Sequence, residues 1–413
     1  MNKKEIVLDN GIKLLMINTD KFKTVNVTLF FEDELNDFNV TCDNLLSKLL
    51  IAKTKKHPSR KEFKSYLKEL YDMKIISIKD NPGETFCFSL NVDSLNKKYT
   101  LNNENLLEKQ FEVLNEVLYS PFIINNEFDS SYFKEVKSEY KQSLINNENY
   151  KEYLVNKKVN KILGKNNKQV VLSGGYVDEL EKITNKDVYN KYMELNSLCK
   201  EIIVCGEIDF DEVISYVNKH FNFSSNRNDY KYLYKNEMKK YEDYSFDSKF
   251  SQSSIAILYD LDVYISDKLY YPTLIFNEMF NYYLFKIIRE EHNFCYSIYS
   301  SFMSSRGLCY LQSNIEAKNY EKTQELVNEI IDDLRNNIDE KILDISKNKV
   351  INNVRKEVDN PLKTITREYN RELYNLEDLE GIINSLNNVT SNDIKEVANK
   401  LDKKFSVILK EGN

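Results

Sequence analysis

The 413-residue sequence predicts an α+β protein: two tandem homologous units of about 200 residues, each a mostly antiparallel sheet packed with helices. Two observations carry this. A Thr helix cap with an acid three residues on, a helix and then an apolar strand occurs at Ile183-Thr184-Asn185-Lys186-Asp187-Val188 and again at Val389-Thr390-Ser391-Asn392-Asp393-Ile394. The two Thr residues stand 206 positions apart, half of the chain. Between them a strand, a helix and two further strands follow in the same order, with hairpins beside paired helices rather than strict strand–helix alternation.

The chain opens on a hairpin. Glu5 to Leu8 and Lys13 to Ile17 flank Asn10-Gly11, a type I′ turn signal. Val25 to Phe31 reads as a strand. A helix follows with Thr41 as its cap and Leu45, Leu46, Leu49, Leu50 and Ala52 at helical spacing. The basic run Lys53 to Lys56 reads as a solvated helix end. Ser59 and Glu62 form a capping box for the next helix. Lys74 to Lys79 and Thr85 to Val92 are strands. A helix with Leu106, Phe111, Leu114 and Leu118 inward stops at Pro121. One long helix is expected from about Phe128 through Leu154, then a turn at Ser173-Gly174-Gly175. Ile202 to Cys205 is a buried-type strand, and a helix from about Asp209 to Phe221 closes the first half. In the second half, Ser254 to Tyr259 answers Val25 to Phe31. A helix from about Leu269 to Ile288 answers the Thr41 helix. Strands near Tyr296 to Tyr299 and Gly307 to Gln312 follow, and Phe405 to Leu409 ends the copy. The expected boundaries are 1–223 for the first repeat, 224–249 for the linker and start of the second, and 250–413 for its body.

Composition excludes several classes. The net charge of -7 argues against a nucleic-acid binder. No apolar run is long enough to span a membrane. The start, Met1 to Leu8, enters a strand with no apolar leader, so a cytoplasmic protein is the expectation. The six cysteines form no Cys-x-x-Cys pair and read as small core residues. The three histidines, His57, His220 and His292, share no helical spacing, so no local His-based metal site can be built. Gly-x-Ser-x-Gly, P-loop and dinucleotide fingerprints are all missing.

This order of elements, with Asp9-Asn10-Gly11 early, Gly175-Tyr176, and Ile183-Thr184 before a strand ending in Gly206, resembles the insulinase/pitrilysin-type peptidases. It is most similar to their half-size bacterial and mitochondrial-processing-peptidase-like members, over essentially the whole chain. Active members carry His-x-x-Glu-His on the first-half helix, two zinc ligands and a general base. The resemblance places Asn44, Ser47 and Lys48 at those positions. The downstream carboxylate ligand falls at Lys134, with Glu127 upstream. It therefore implies a degenerate, metal-free site and a non-catalytic chain without a cofactor.

Arg289-Glu290-Glu291-His292-Asn293-Phe294-Cys295-Tyr296 resembles the family's Arg-Glu-x-x-x-x-x-Tyr segment. In two-chain members that segment reaches the partner's active site, where a guanidinium and a phenol can donate to an oxyanion. The bland alternative is a surface Arg and a strand Tyr in a chain with 29 tyrosines. The helix before it, Asn277 to Phe285, lacks the glycines that usually receive peptide. The resemblance implies a peptide substrate and a paralogous partner that bears the intact zinc motif and holds the zinc. The alternative is an inactive peptide-binding or scaffold protein with no peptidase partner.

Overall fold

The computed structural model describes residues 1–224, 230–235 and 237–412. In chain order its elements begin β1 (Asn2–Val7), β2 (Lys13–Asn18), β3 (Thr24–Glu34), α1 (Asp37–Leu50), α2 (Arg60–Glu69), β4 (Lys74–Asp80) and β5 (Thr85–Leu95). Then come α3 (Leu106–Tyr119), the short pair β6 (Ile123–Ile124) and β7 (Glu127–Phe128), α4 (Ser130–Asn147), α5 (Lys151–Leu163), α6 (Val177–Lys182), α7 (Asn185–Leu198), β8 (Cys199–Gly206) and α8 (Phe210–His220). The rest are β9 (Tyr244–Asp247), β10 (Ser253–Asp260), α9 (Tyr270–Tyr283), a wider helical segment (Leu284–Glu291), β11 (Cys295–Met303), β12 (Leu308–Ile315), α10 (Tyr320–Asn336), α11 (Glu340–Glu357), α12 (Pro361–Tyr374), α13 (Leu379–Asn387), α14 (Ser391–Lys400) and β13 (Asp402–Lys410).

These elements form two compact units. The first comprises Met1–Ile145, Val171–Lys231 and Asp359–Arg367; the second Asn146–Val170, Tyr232–Val358 and Glu368–Asn413. The first contains a six-stranded sheet in the order β1-β2-β8-β3-β5-β4, the second a five-stranded sheet in the order β11-β12-β10-β13-β9. Read from opposite ends the two orders superpose. β9-β13-β10-β12-β11 repeats β2-β8-β3-β5-β4, including the one parallel pairing in each, β2 with β8 and β9 with β13. Among the described residues of the two sheets, only β1 has no counterpart.

The central strand of the first sheet explains its own burial. Val25, Val27, Leu29 and Phe31 alternate along β3 and enter the first core with Leu45, Leu46 and Leu49 of α1. The opposite face of β3 is polar: Asn91 donates to Thr28 at 2.8 Å and to Asn26 at 3.2 Å, and Asn26 to Asp93 at 3.1 Å. In the second sheet both faces are apolar. Ile255 and Ile257 of β10 join a core with Phe276, Met279 and Phe280 of α9, while Ala256 and Leu258 pack with Val155 and Val159 of α5. The two repeated Thr–Asp boxes cap α7 and α14 as expected, each with reciprocal side-chain and backbone bonds, and Ser59–Glu62 does the same for α2. All six cysteines are buried and free.

Several local expectations fail for physical reasons. The first helix is capped by Asn36, whose side chain accepts from the Asn39 amide at 2.8 Å; Thr41 lies inside the helix. The first hairpin loop is longer than a two-residue type I′ turn, which needs two positive φ angles; here Gly11 alone is positive, at 83°. The long helix breaks after Asn147, and α5 starts at Lys151 with no side-chain cap. Lys53 is not solvated: its ammonium lies 4.0 Å from the Tyr132 ring centroid and 4.2 Å from that of Phe122. Within the expected linker, residues 225–229 and 236 lie outside the described residues, and Tyr244–Asp247 forms strand β9.

Candidate functional site

Two places carry the residues singled out by the sequence, one in each unit. In the first, α1 is nearly buried all round, and Thr41, Asn44 and Ser47 are taken up by hydrogen bonds. The Asn44 amide donates to the Val40 carbonyl at 2.7 Å and to the Ser173 carbonyl at 2.9 Å. The Ser47 hydroxyl, wholly buried, donates back to the Asn44 carbonyl at 3.0 Å. The ammonium of Lys48 sits 5.3 Å from the centroid of the Tyr140 ring, and the Tyr140 hydroxyl donates to the Gly174 carbonyl at 2.5 Å. The Tyr176 amide donates to Thr41 Oγ1 at 3.1 Å. Together these bonds lay the 173–176 loop along α1. Gly175 has φ of 88°, and a Cβ there would lie 3.1 Å from Thr41 Oγ1 and 3.2 Å from its Cα, so the close approach requires glycine.

Lys134 does not belong to this place. It is exposed, whereas Phe133, Val136, Tyr140 and Leu144 form the buried stripe of α4. The α4 residue that meets α1 at Lys48 is Tyr140. Among the described residues no group of three His, Cys, Asp or Glu side chains could hold a metal. An amide, an aliphatic hydroxyl and an ammonium do not suit zinc, and the amide and hydroxyl hydrogens are already committed.

Sequence reasoning missed a buried charged group behind this helix. Asp43 is fully buried; burial, with the Asp33 charge next, pushes its carboxyl well above the ordinary range. Lys191 of α7 pairs with Asp33 at 2.5 Å; burial works against its charge, but Asp43 and Asp33 raise its pKa. The available signal was Asp43 itself, an acid two residues before the apolar pair Leu45 and Leu46.

The second place is the segment after α9. Here the helix widens, with the His292 amide bonding back to Ile287 at 3.1 Å and Phe294 to Ile288 at 3.0 Å. Widened turns of this kind recur at functional sites. Leu284 and Ile288 stay in the core, as does Phe280, while Phe285 and Arg289, four apart, share an outer side. The guanidinium carbon of Arg289 stands 4.5 Å from the Phe285 ring centroid and 5.2 Å from that of Tyr296. Tyr296 lies on β11, an edge strand, and is 79% exposed. The structure thus brings Arg289 and Tyr296 together, with the phenol open to solvent. Asn281 pins α9 to β11: it accepts from the Ser300 amide at 2.6 Å and donates to the Ser300 carbonyl at 3.0 Å.

Comparison with known proteins bears on the chain as a whole. Residues 186–350 match the Peptidase M16 inactive domain. The chain is 26% identical over 416 residues to a Bacillus subtilis protein named "Probable inactive metalloprotease YmfF", covering 97% of this chain and 96% of that one. A conserved protein from Enterococcus faecalis V583 superposes with a TM-score of 0.91 at 23% identity, covering 100% of this chain and 99% of that one. A peptidase M16 inactive domain from Pseudomonas fluorescens does so with a TM-score of 0.82 at 15% identity, with coverages of 100% and 99%.

Proposed function

The chain is a relative of the M16 peptidases, matched by their inactive domain, and on that premise we propose that it is the non-catalytic subunit of a two-chain zinc peptidase. Its partner is a paralogue with an intact His-x-x-Glu-His, and the pair processes peptides. The observation that carries this reading is the Arg289–Tyr296 pair: a guanidinium stacked against a phenol that stays 79% exposed on an edge strand. A cation stacked on a solvent-facing ring adds only about 0.5–1 kcal/mol to stability, so stability alone gives little reason for the pair. Two donors at one edge suit a peptide carbonyl that becomes an oxyanion at a neighbouring zinc. The edge strand itself can pair with an extended peptide backbone.

The alternative, an inactive peptide-binding or scaffold protein, has one observation in its favour. Asn277 to Phe285 carries bulky side chains and no glycine, and Tyr282 and Phe285 are exposed there. A pull-down of the chain from its own cells separates the two readings. An equal amount of a similar-sized protein bearing His-x-x-Glu-His supports the peptidase subunit; recovery alone or with unrelated proteins supports the scaffold. In the reconstituted pair, Arg289→Ala or Tyr296→Phe should lower peptide turnover about 10²-fold without breaking assembly. Unchanged turnover in both variants removes their assigned role.

A further inference from the structure

The first hairpin carries the only Asn-Gly pair of the chain, Asn10-Gly11. Such a pair is open to an internal reaction, because glycine has no Cβ to hinder its amide nitrogen from reaching the asparagine side-chain carbonyl. In the folded loop every participant is held. The Gly11 amide donates to the Leu8 carbonyl at 2.8 Å. Asn10 Oδ1 accepts from the Ile12 amide at 3.1 Å, and Asn10 Nδ2 donates to the Phe223 carbonyl at 2.8 Å. Phe223 is itself buried, with its ring beside those of Phe221, Tyr119 and Phe31. Attacking nitrogen, target carbonyl and leaving nitrogen thus each have a partner, and reaction requires the loop to open.

The strand that must move is lightly fixed. Five of the six side chains of β1 are exposed, and Ile6 alone packs, half-buried, against the first core. Lys4 pairs with Asp211 of α8 at 3.6 Å on the surface, where such a pair adds little. β1 lies along the outer edge of β2, whereas β9, at the matching place of the second sheet, is itself the edge. A strand of this kind opens locally far more often than the whole unit unfolds.

We propose that Asn10 is a modification site: it deamidates when β1 and its loop open, and the product unfastens the hairpin from Phe223. The Gly11 nitrogen gives up its proton and bonds to Asn10 Cγ. The Cγ–Nδ2 bond breaks, and the side-chain nitrogen leaves with that proton as ammonia. Water then opens the five-membered imide. Cleavage at Cγ yields an aspartate in the ordinary chain; cleavage at the main-chain carbonyl yields isoaspartate, whose backbone is one methylene longer. Either product replaces the amide donor with a carboxylate, which has no hydrogen to offer the Phe223 carbonyl. The proposal goes beyond the two-chain reading and stands without it.

The test follows the full wild-type chain in mildly alkaline buffer, native and in denaturing urea, with amide-to-acid conversion at Asn10 read by peptide mass mapping. Conversion in urea should outrun conversion in the native protein at least about tenfold. Ile6→Ala lies four residues from the reacting pair. It should quicken native conversion several-fold and leave the urea rate unchanged. Asn10→Asp should speed hydrogen exchange of the β1 amides at least about tenfold, with β9 and β13 unaffected. The wild-type time courses decide the gating even where a variant does not fold. Equal rates in native buffer and urea, an intact Asn10 after prolonged incubation in urea, or unchanged β1 exchange in Asn10→Asp overturns the proposal.

Discussion

The two units use one plan and treat its sensitive point in opposite ways. In the first, the helix after the central strand has turned inward: Asn44, Ser47 and Tyr140 spend their hydrogen bonds on helix and loop carbonyls. In the second, the corresponding helix runs into a widened turn whose Arg289 faces outward beside Tyr296 of β11, a phenol left 79% exposed. The difference teaches that one plan can use its polar groups in two ways. Asn44 and Ser47 have a structural task, whereas the Arg289–Tyr296 pair has none that its packing reveals.

That contrast can be broken at its strongest point first. Ser47→Glu places a carboxylate at a wholly buried position. It should cost about 3–5 kcal/mol, read as a lower midpoint in urea unfolding. A stable Ser47→Glu protein would mean that the site is still adaptable. Asn44→Ala leaves the Ser173 carbonyl without its donor and should cost about 1–3 kcal/mol, with protease sensitivity appearing first in the 173–176 loop. Uniform loss without loop cleavage would contradict the tether.

The buried Asp43 gives a pH-dependent version of the same comparison. Its folded pKa is raised above the unfolded value of about 3.9, so the folded state holds the proton more tightly. Stability from this group is complete below that value and declines as pH rises toward the folded pKa. Wild type should therefore lose stability relative to Asp43→Asn by up to about 1.4 kcal/mol per pH unit above pH 4. Parallel stability curves for the two proteins would show that Asp43 does not titrate in that window. The smallest effect is expected in the second unit. Tyr296→Phe removes an exposed hydroxyl and should shift stability by less than about 0.5 kcal/mol. A larger loss would give Tyr296 a structural role after all.

Much of the fold was legible because it rests on local signals. The Thr–Asp boxes and the apolar runs of β3, β8, β10 and β13 are each complete within ten residues or so, and their repetition revealed the duplication. The start of α1 was not, because Asn36 and Thr41 are both acceptable caps and the leucines begin only at Leu45. The break before α5 carries neither proline nor glycine, so tertiary packing sets it. Lys134 was misplaced although the sequence held the correction. Phe133, Val136, Tyr140 and Leu144 follow helical spacing and put Lys134 on the polar side. Asp43 alone stood out on α1, but the Asp33–Asp43–Lys191 group could not be assembled from the sequence because its members lie on three separate elements that only the fold brings together.

Each sheet is completed by its last strand. β8 fits between β2 and β3, and β13 fits between β9 and β10, although each emerges long after its neighbours. Between the end of β3 at Glu34 and the start of β8 at Cys199 the ribosome must add the whole intervening chain. At ordinary synthesis rates that takes roughly ten to thirty seconds. Throughout that interval β2 and β3 each present an open backbone edge with apolar flanks to everything else in the cell. Timing, as much as final stability, thus sets how far this protein depends on being shielded while it is made.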